Sequence, residues 1–133
     1  MTATLGSLTS HHTLASRKSA QPAGVYAYVF AHDLPPQDFV LKAPHTAEIP
    51  YVMDNVANAP LFAGATADDV AMGKMMSATW VNFAKTGDPN GAEGLPAWPK
   101  FSADKRPTMF FSKESKVVEN PYPEIWKIIQ DNP

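Results

Sequence analysis

The residues best suited to chemistry gather around His45, in the run Leu41-Lys42-Ala43-Pro44-His45-Thr46-Ala47-Glu48-Ile49-Pro50-Tyr51-Val52. An unperturbed imidazole titrates near neutrality, so a histidine in a loop can take up and return a proton around pH 7. His45 is held between Pro44 and Pro50, and Glu48 follows three positions later. On a turn that spacing points both side chains the same way, and Glu48 is expected to anchor the loop by hydrogen bonding. Zero cysteines exclude a thiolate nucleophile, a disulfide and a Cys-ligated zinc. His11, His12, His32, His45 and Glu48 are the candidate metal ligands. Adjacent His11-His12 cannot easily chelate from a regular helix and no His-x-x-x-His pair occurs, so neither a metal nor another cofactor is expected.

Several elements must position this loop. Val25-Tyr26-Ala27-Tyr28-Val29-Phe30 has no polar residue on either alternating face, as a strand covered on both sides requires. It reads as a central strand, and its neighbours are hard to find within the chain. Residues 32–40 form a polar loop with Pro35-Pro36, which delivers the chain to His45. Residues 56–65 read as small-residue loop. Thr66-x-x-Asp69 then predicts a capped helix start, with Asp68 and Asp69 suiting the dipole. Met72, Met76, Thr79 and Phe83 form its apolar stripe, widened by Met75 and Trp80, and Gly87-Asp88-Pro89 ends it. A methionine stripe of this kind is core packing rather than a cofactor box.

The remaining segments are short. Residues 1–10 carry no periodicity, and residues 11–21 are expected to form one modest helix ending near Pro22 and Gly24. Leu95-Pro96-Ala97-Trp98-Pro99-Lys100-Phe101 cannot be helical and reads as a loop anchored by Trp98. Thr108-Met109-Phe110-Phe111 and Lys116-Val117-Val118 predict a hairpin, and Ile125, Trp126, Ile128 and Ile129 share a face of a terminal helix.

Composition narrows the function classes. At 133 residues, with 44% apolar and 18% charged residues, the chain fits one globular domain. The 13 prolines, roughly twice average usage, demand much loop. A net charge of -2 with interspersed signs argues against a nucleic-acid surface. No apolar run is long enough to span a bilayer, so no membrane association is expected. The first twenty residues lack the apolar core of a signal peptide, which makes a cytoplasmic location the default expectation.

Four stretches resemble one family in the same order. They are the apolar strand ending at Phe30; His45-Thr46-Ala47-Glu48-Ile49-Pro50-Tyr51-Val52; Trp80-Val81-Asn82-Phe83-Ala84-Lys85-Thr86-Gly87-Asp88-Pro89-Asn90 with the later Trp98-Pro99; and Arg106-Pro107-Thr108-Met109-Phe110-Phe111. The chain is similar to the C-terminal part of type-B carboxylesterases, the family of cholinesterases and bacterial para-nitrobenzyl esterases. The resemblance covers residues 24–133, leaving 1–23 as a poorly defined segment with a possible helix. Met53-Asp54-Asn55 departs from the family, whose members commonly carry an aromatic residue and a glycine before the asparagine. The resemblance implies an α/β class: a C-terminal fragment of an α/β-hydrolase fold comprising a central strand, the histidine loop, a long helix and a terminal hairpin.

It also implies serine-dependent hydrolysis of carboxylic esters, with His45 as the proton relay. Such chemistry needs a serine nucleophile, an acid orienting the histidine, and oxyanion donors, in the chain order serine, acid, histidine. The sequence has no Gly-x-Ser-x-Gly elbow and no Gly-Gly run. The family takes its acid from a loop well upstream, which leaves Glu48 a supporting role. This chain is therefore expected to be inactive alone. It would act on a small-molecule ester only when completed by the missing portion, possibly a companion N-terminal esterase polypeptide. The alternatives are a non-catalytic binding remnant and one half of a two-chain esterase.

Overall fold

The computed structural model describes residues 5–32, 44–59, 63 and 66–131. In chain order these form α1 (Leu5–Ser19), β1 (Ala27–Phe30), α2 (Ile49–Val52), a 3₁₀ turn (Val56–Asn58), α3 (Ala67–Thr86), β2 (Thr108–Phe111), β3 (Lys116–Val118) and α4 (Pro123–Asp131). The expected polar connection containing Pro35-Pro36 lies outside the described residues.

The sheet has the order β1-β2-β3. β1 and β2 run parallel, pairing Ala27 with Thr108 and Phe30 with Phe111, and β2 and β3 form the expected antiparallel hairpin. Parallel neighbours need a long crossover, and here it carries the histidine loop, α2, α3 and the proline-rich passage. β1 is shorter than the apolar run that encodes it. It has found one neighbour, while its other edge meets no strand among the described residues. Tyr28 on β1 is 40% exposed, so the described residues leave part of this strand uncovered. β2 is the strand enclosed on both edges, and Thr108, Met109 and Phe111 are all buried.

α3 starts and stops as its local sequence dictates. The Asp69 amide donates to Thr66 Oγ1 at 3.3 Å, and Asp69 Oδ2 accepts from the Thr66 amide at 2.9 Å, closing the capping box. Gly87 supplies the left-handed C-cap with φ 75°, its amide donating to Phe83 O at 2.8 Å. Met72, Met76 and Thr79 are buried as the stripe predicts. Phe83 is 45% exposed because the helix has run past the core, and it stands edge-on to Tyr26 with centroids 5.9 Å apart.

The core unites Phe30, Tyr51, Val56, Met72, Met76, Trp98, Met109 and Phe111. Trp98 is delivered by the turn after α3. Asn90 Nδ2 donates to Trp98 O at 2.9 Å, and the Trp98 amide donates to Asn90 Oδ1 at 2.8 Å. This two-point clamp lets a passage without regular structure seat an indole against Phe111, with centroids 5.7 Å apart. In α4, Trp126 is buried beneath the Arg106 guanidinium and its indole N–H donates to Pro121 O at 3.0 Å, while Ile128 is 51% exposed. α1 begins earlier than the expected 11–21 helix, since no proline interrupts the chain before Pro22 and Arg17 and Lys18 suit its last turn.

Candidate active site

His45 opens a run of turns that leads into α2, and its side chain is exposed. The Ala47 amide donates to Pro44 O, the Ile49 amide to Thr46 O, and the Tyr51 and Val52 amides both to Glu48 O, at 3.0–3.1 Å. Ala47 is fully buried and acts as the apolar foot of the turn. Thr46 has φ 74°, a left-handed conformation that a β-branched residue rarely adopts. The backbone beside His45 is therefore strained as well as hydrogen-bonded. Glu48 is half-buried and serves α2 through its carbonyl, with no side-chain capping bond. Burial first, and then the negative charge of Glu48, push the Tyr28 phenol above its usual pKa, so the Glu48 carboxylate acts on β1.

A second histidine, His32, has a carboxylate partner. His32, two residues beyond β1 and 3% exposed, contacts Asp69 Oδ1 through Nε2 at 2.6 Å. Asp69 is 2% exposed and belongs to the first turn of α3. Its other oxygen, Oδ2, accepts from Thr66 N at 2.9 Å and from Thr66 Oγ1 at 2.6 Å. The Tyr51 hydroxyl of α2 reaches Oδ1 at 3.5 Å, a long contact. Burial alone would raise the Asp69 pKa, but the Thr66 hydrogen bonds and then the His32 bond and charge outweigh it, and the carboxyl lies below its usual value. The rings of Phe30, His32 and Tyr51 pack around this couple, with Phe30 and Tyr51 centroids 5.1 Å apart and His32 and Tyr51 centroids 5.6 Å apart.

Of the metal candidates, His11 and His45 are exposed on separate elements and His32 is committed to Asp69. Among the described residues no group of three His, Cys, Asp or Glu could hold a metal ion. A cleft of about 660 Å³ is lined by His32, Met72, Met75, Ser112 and Lys113, and His45 is not among its walls.

The turn around His45, the capped helix and the parallel pair with its hairpin can be set against known proteins. The carboxylesterase family model matches residues 1–126. The chain belongs to the carboxylesterase family. The match includes α1, upstream of the stretches that carry the resemblance. Dog carboxylesterase 5A is 40% identical over 93 residues, covering 63% of this chain and 16% of that protein. Human cocaine esterase is 34% identical over 91 residues, covering 63% of this chain and 15% of that protein. The Geobacillus stearothermophilus carboxylesterase EST55 superposes with a TM-score of 0.70 at 35% identity, over 85% of this chain and 23% of that one. An esterase from Clostridium hathewayi reaches a TM-score of 0.75 at 27% identity, over 90% of this chain and 23% of that one.

These neighbours are type-B carboxylesterases with the α/β-hydrolase fold, and this family member carries part of that fold. It spans about one-sixth of the length of the curated relatives it matches. No helix of the described residues is long and apolar enough to cross a membrane. Sequence reasoning missed the His32–Asp69 couple in this member of the carboxylesterase family, having counted His32 only as a possible ligand and Asp69 only as a cap. One signal was present: a histidine directly after a buried strand needs a polar partner, and a carboxylate in a helix's first turn is a ready one.

Proposed function

We propose that this chain contributes the proton relay of a serine carboxylesterase, with His45 as general base and then general acid in hydrolysis of a carboxylic ester. The observation that carries this reading is the exposed His45, held on a hydrogen-bonded turn within the stretch matched to the family. In such a reaction a serine hydroxyl attacks the ester carbonyl as the imidazole takes its proton. The same imidazole returns that proton to the leaving alcohol, and water then repeats the cycle on the acyl-enzyme. The sequence contains no Gly-x-Ser-x-Gly elbow. The nucleophile, the orienting acid and the oxyanion donors therefore come from a polypeptide portion outside these 133 residues, acting on a small-molecule ester. Glu48 supports the turn through its carbonyl, which accepts from the Tyr51 and Val52 amides.

The test has two arms. Purified alone, the chain is expected to give no hydrolysis of p-nitrophenyl esters above background and no labelling by a fluorophosphonate probe. Mixed with an upstream esterase polypeptide carrying the serine elbow, it should restore turnover, and His45→Ala should abolish that turnover. Labelling of a serine in the isolated chain, or restored turnover that survives His45→Ala, would refute the reading.

A further inference from the structure

His32 and Tyr51 flank the segment that carries His45, one on the upstream side and one on the downstream side. Both converge on Oδ1 of Asp69, His32 at 2.6 Å and Tyr51 at 3.5 Å. Asp69 is itself fixed by two bonds from Thr66 at the start of α3. From Tyr51 back to Pro44, successive backbone hydrogen bonds join α2 to the turn that carries His45. On the upstream side, the Ala31 amide donates to Phe111 O at 2.8 Å, which ties the residue before His32 to the sheet.

We propose that Asp69 is a positioning residue that ties the end of β1, through His32, and α2, through Tyr51, to the start of α3, so that one buried carboxylate sets where the turn carrying His45 stands. Its catalytic meaning rests on the reading of His45 as the proton relay. Charge-assisted hydrogen bonds are shorter and stronger than neutral ones, which suits a single carboxylate that must hold two elements. Each of these elements is gripped by a different chemical group. The imidazole N–H makes the short contact, and the phenol makes a longer one that adds ring packing against His32 and Phe30.

The test reads ring and backbone positions without any ester. Amide and imidazole ¹H–¹⁵N spectra of the whole chain are compared with those of Asp69→Asn, His32→Gln, Tyr51→Phe and, as control, Thr86→Ala. The control removes the Thr86 hydroxyl bonds to Asn82 O and from the Asp88 amide at the far end of α3 and leaves both tethers in place. In the wild type, the His32 Nε2 proton should resonate far downfield, and this signal should vanish in Asp69→Asn. The His45 and Thr46 resonances should shift by more than a line width and broaden in Asp69→Asn and His32→Gln, move less in Tyr51→Phe, and hold still in Thr86→Ala. Should Asp69→Asn fail to fold, the His32 and Tyr51 variants decide on the same criterion. Unmoved His45 resonances in folded tether variants overturn the proposal. So does a Thr86→Ala effect as large as theirs, or a wild-type His45 turn whose resonances are already motionally averaged. Failure of the mixing experiment would leave this tie standing, and failure here would leave the relay standing.

Discussion

His32 and His45 are neighbouring histidines in the sequence and occupy opposite environments. His32 is 3% exposed, packed among aromatic rings and joined to a carboxylate, whereas His45 is exposed on a strained turn. The contrast separates two uses of one side chain. The imidazole joined to Asp69 is held by its side chain at the edge of a cleft, while the exposed imidazole of His45 stands on a turn held chiefly through its backbone. Such a backbone-held group tolerates replacement, so its substitution should cost chemistry rather than folding.

The largest effect that sharpens the contrast is expected at the buried partner. Asp69→Ala leaves His32 without its acceptor and removes half of the α3 capping box. The variant should lose roughly 3–5 kcal/mol in urea denaturation, the scale for breaking a buried ion pair. A loss below about 1 kcal/mol would place the couple among exposed pairs and erase the distinction. The same group gives a sign for pH. Its folded pKa lies below the unfolded value of ~3.9. Its stabilisation is therefore complete above that unfolded value and is lost as the pH falls through the folded one. Acid melts of Asp69→Asn should show less of this loss than those of the wild type.

Two smaller changes probe how α2 and the His45 turn are held. A Cβ at Gly73 would come within 2.8 Å of Val56 Cγ2 and 3.8 Å of the Tyr51 Cα, and Val56 is itself 2% exposed. Gly73→Ala should destabilise by about 1–2 kcal/mol, because overpacking exceeds the gain in helix propensity. A neutral or stabilising result would mean that the 3₁₀ turn carrying Val56 rides loosely on α3. Thr46→Gly acts in the other direction. Relief of the left-handed threonine, worth about 1–2 kcal/mol, exceeds the added flexibility of the unfolded chain, about 0.4–1 kcal/mol. Stability should rise by roughly 0.5–1 kcal/mol, read as a higher midpoint in thermal melts.

What could be seen in the sequence was what short range decides. Thr66 and Asp69 are three residues apart, Gly87 ends its helix by its own backbone, and the hairpin of β2 and β3 lies within a few residues. Pro96 and Pro99 exclude a helix around Trp98 wherever the indole ends up. The parallel pairing of β1 with β2 joins residues 27–30 to 108–111, and the His32–Asp69 bond spans 37 positions. Neither has a periodicity to betray it. Phe83 illustrates the same limit, since helical spacing put it on the apolar stripe but only the extent of the core determines where that stripe ends. For the candidate site, His45 was singled out by its sequence neighbours, and the buried couple became visible only when strand, short helix and long helix met in space.

The smallest expected effect on folding is at His45 itself, and it breaks the contrast most directly. The side chain is exposed, and the turn is closed by main-chain bonds from residues 47, 49, 51 and 52, none of which needs the imidazole. His45→Ala should therefore change unfolding free energy by less than about 0.5 kcal/mol, the range for surface substitutions away from special features. His32→Ala, by contrast, leaves a buried carboxylate oxygen poorly satisfied and should cost about 2–3 kcal/mol. If the two alanine variants melt alike, the difference in burial has no energetic consequence. If His45→Ala is the costlier, the exposed ring is holding structure, and an imidazole engaged in that way is not free to carry a proton between a serine and an alcohol.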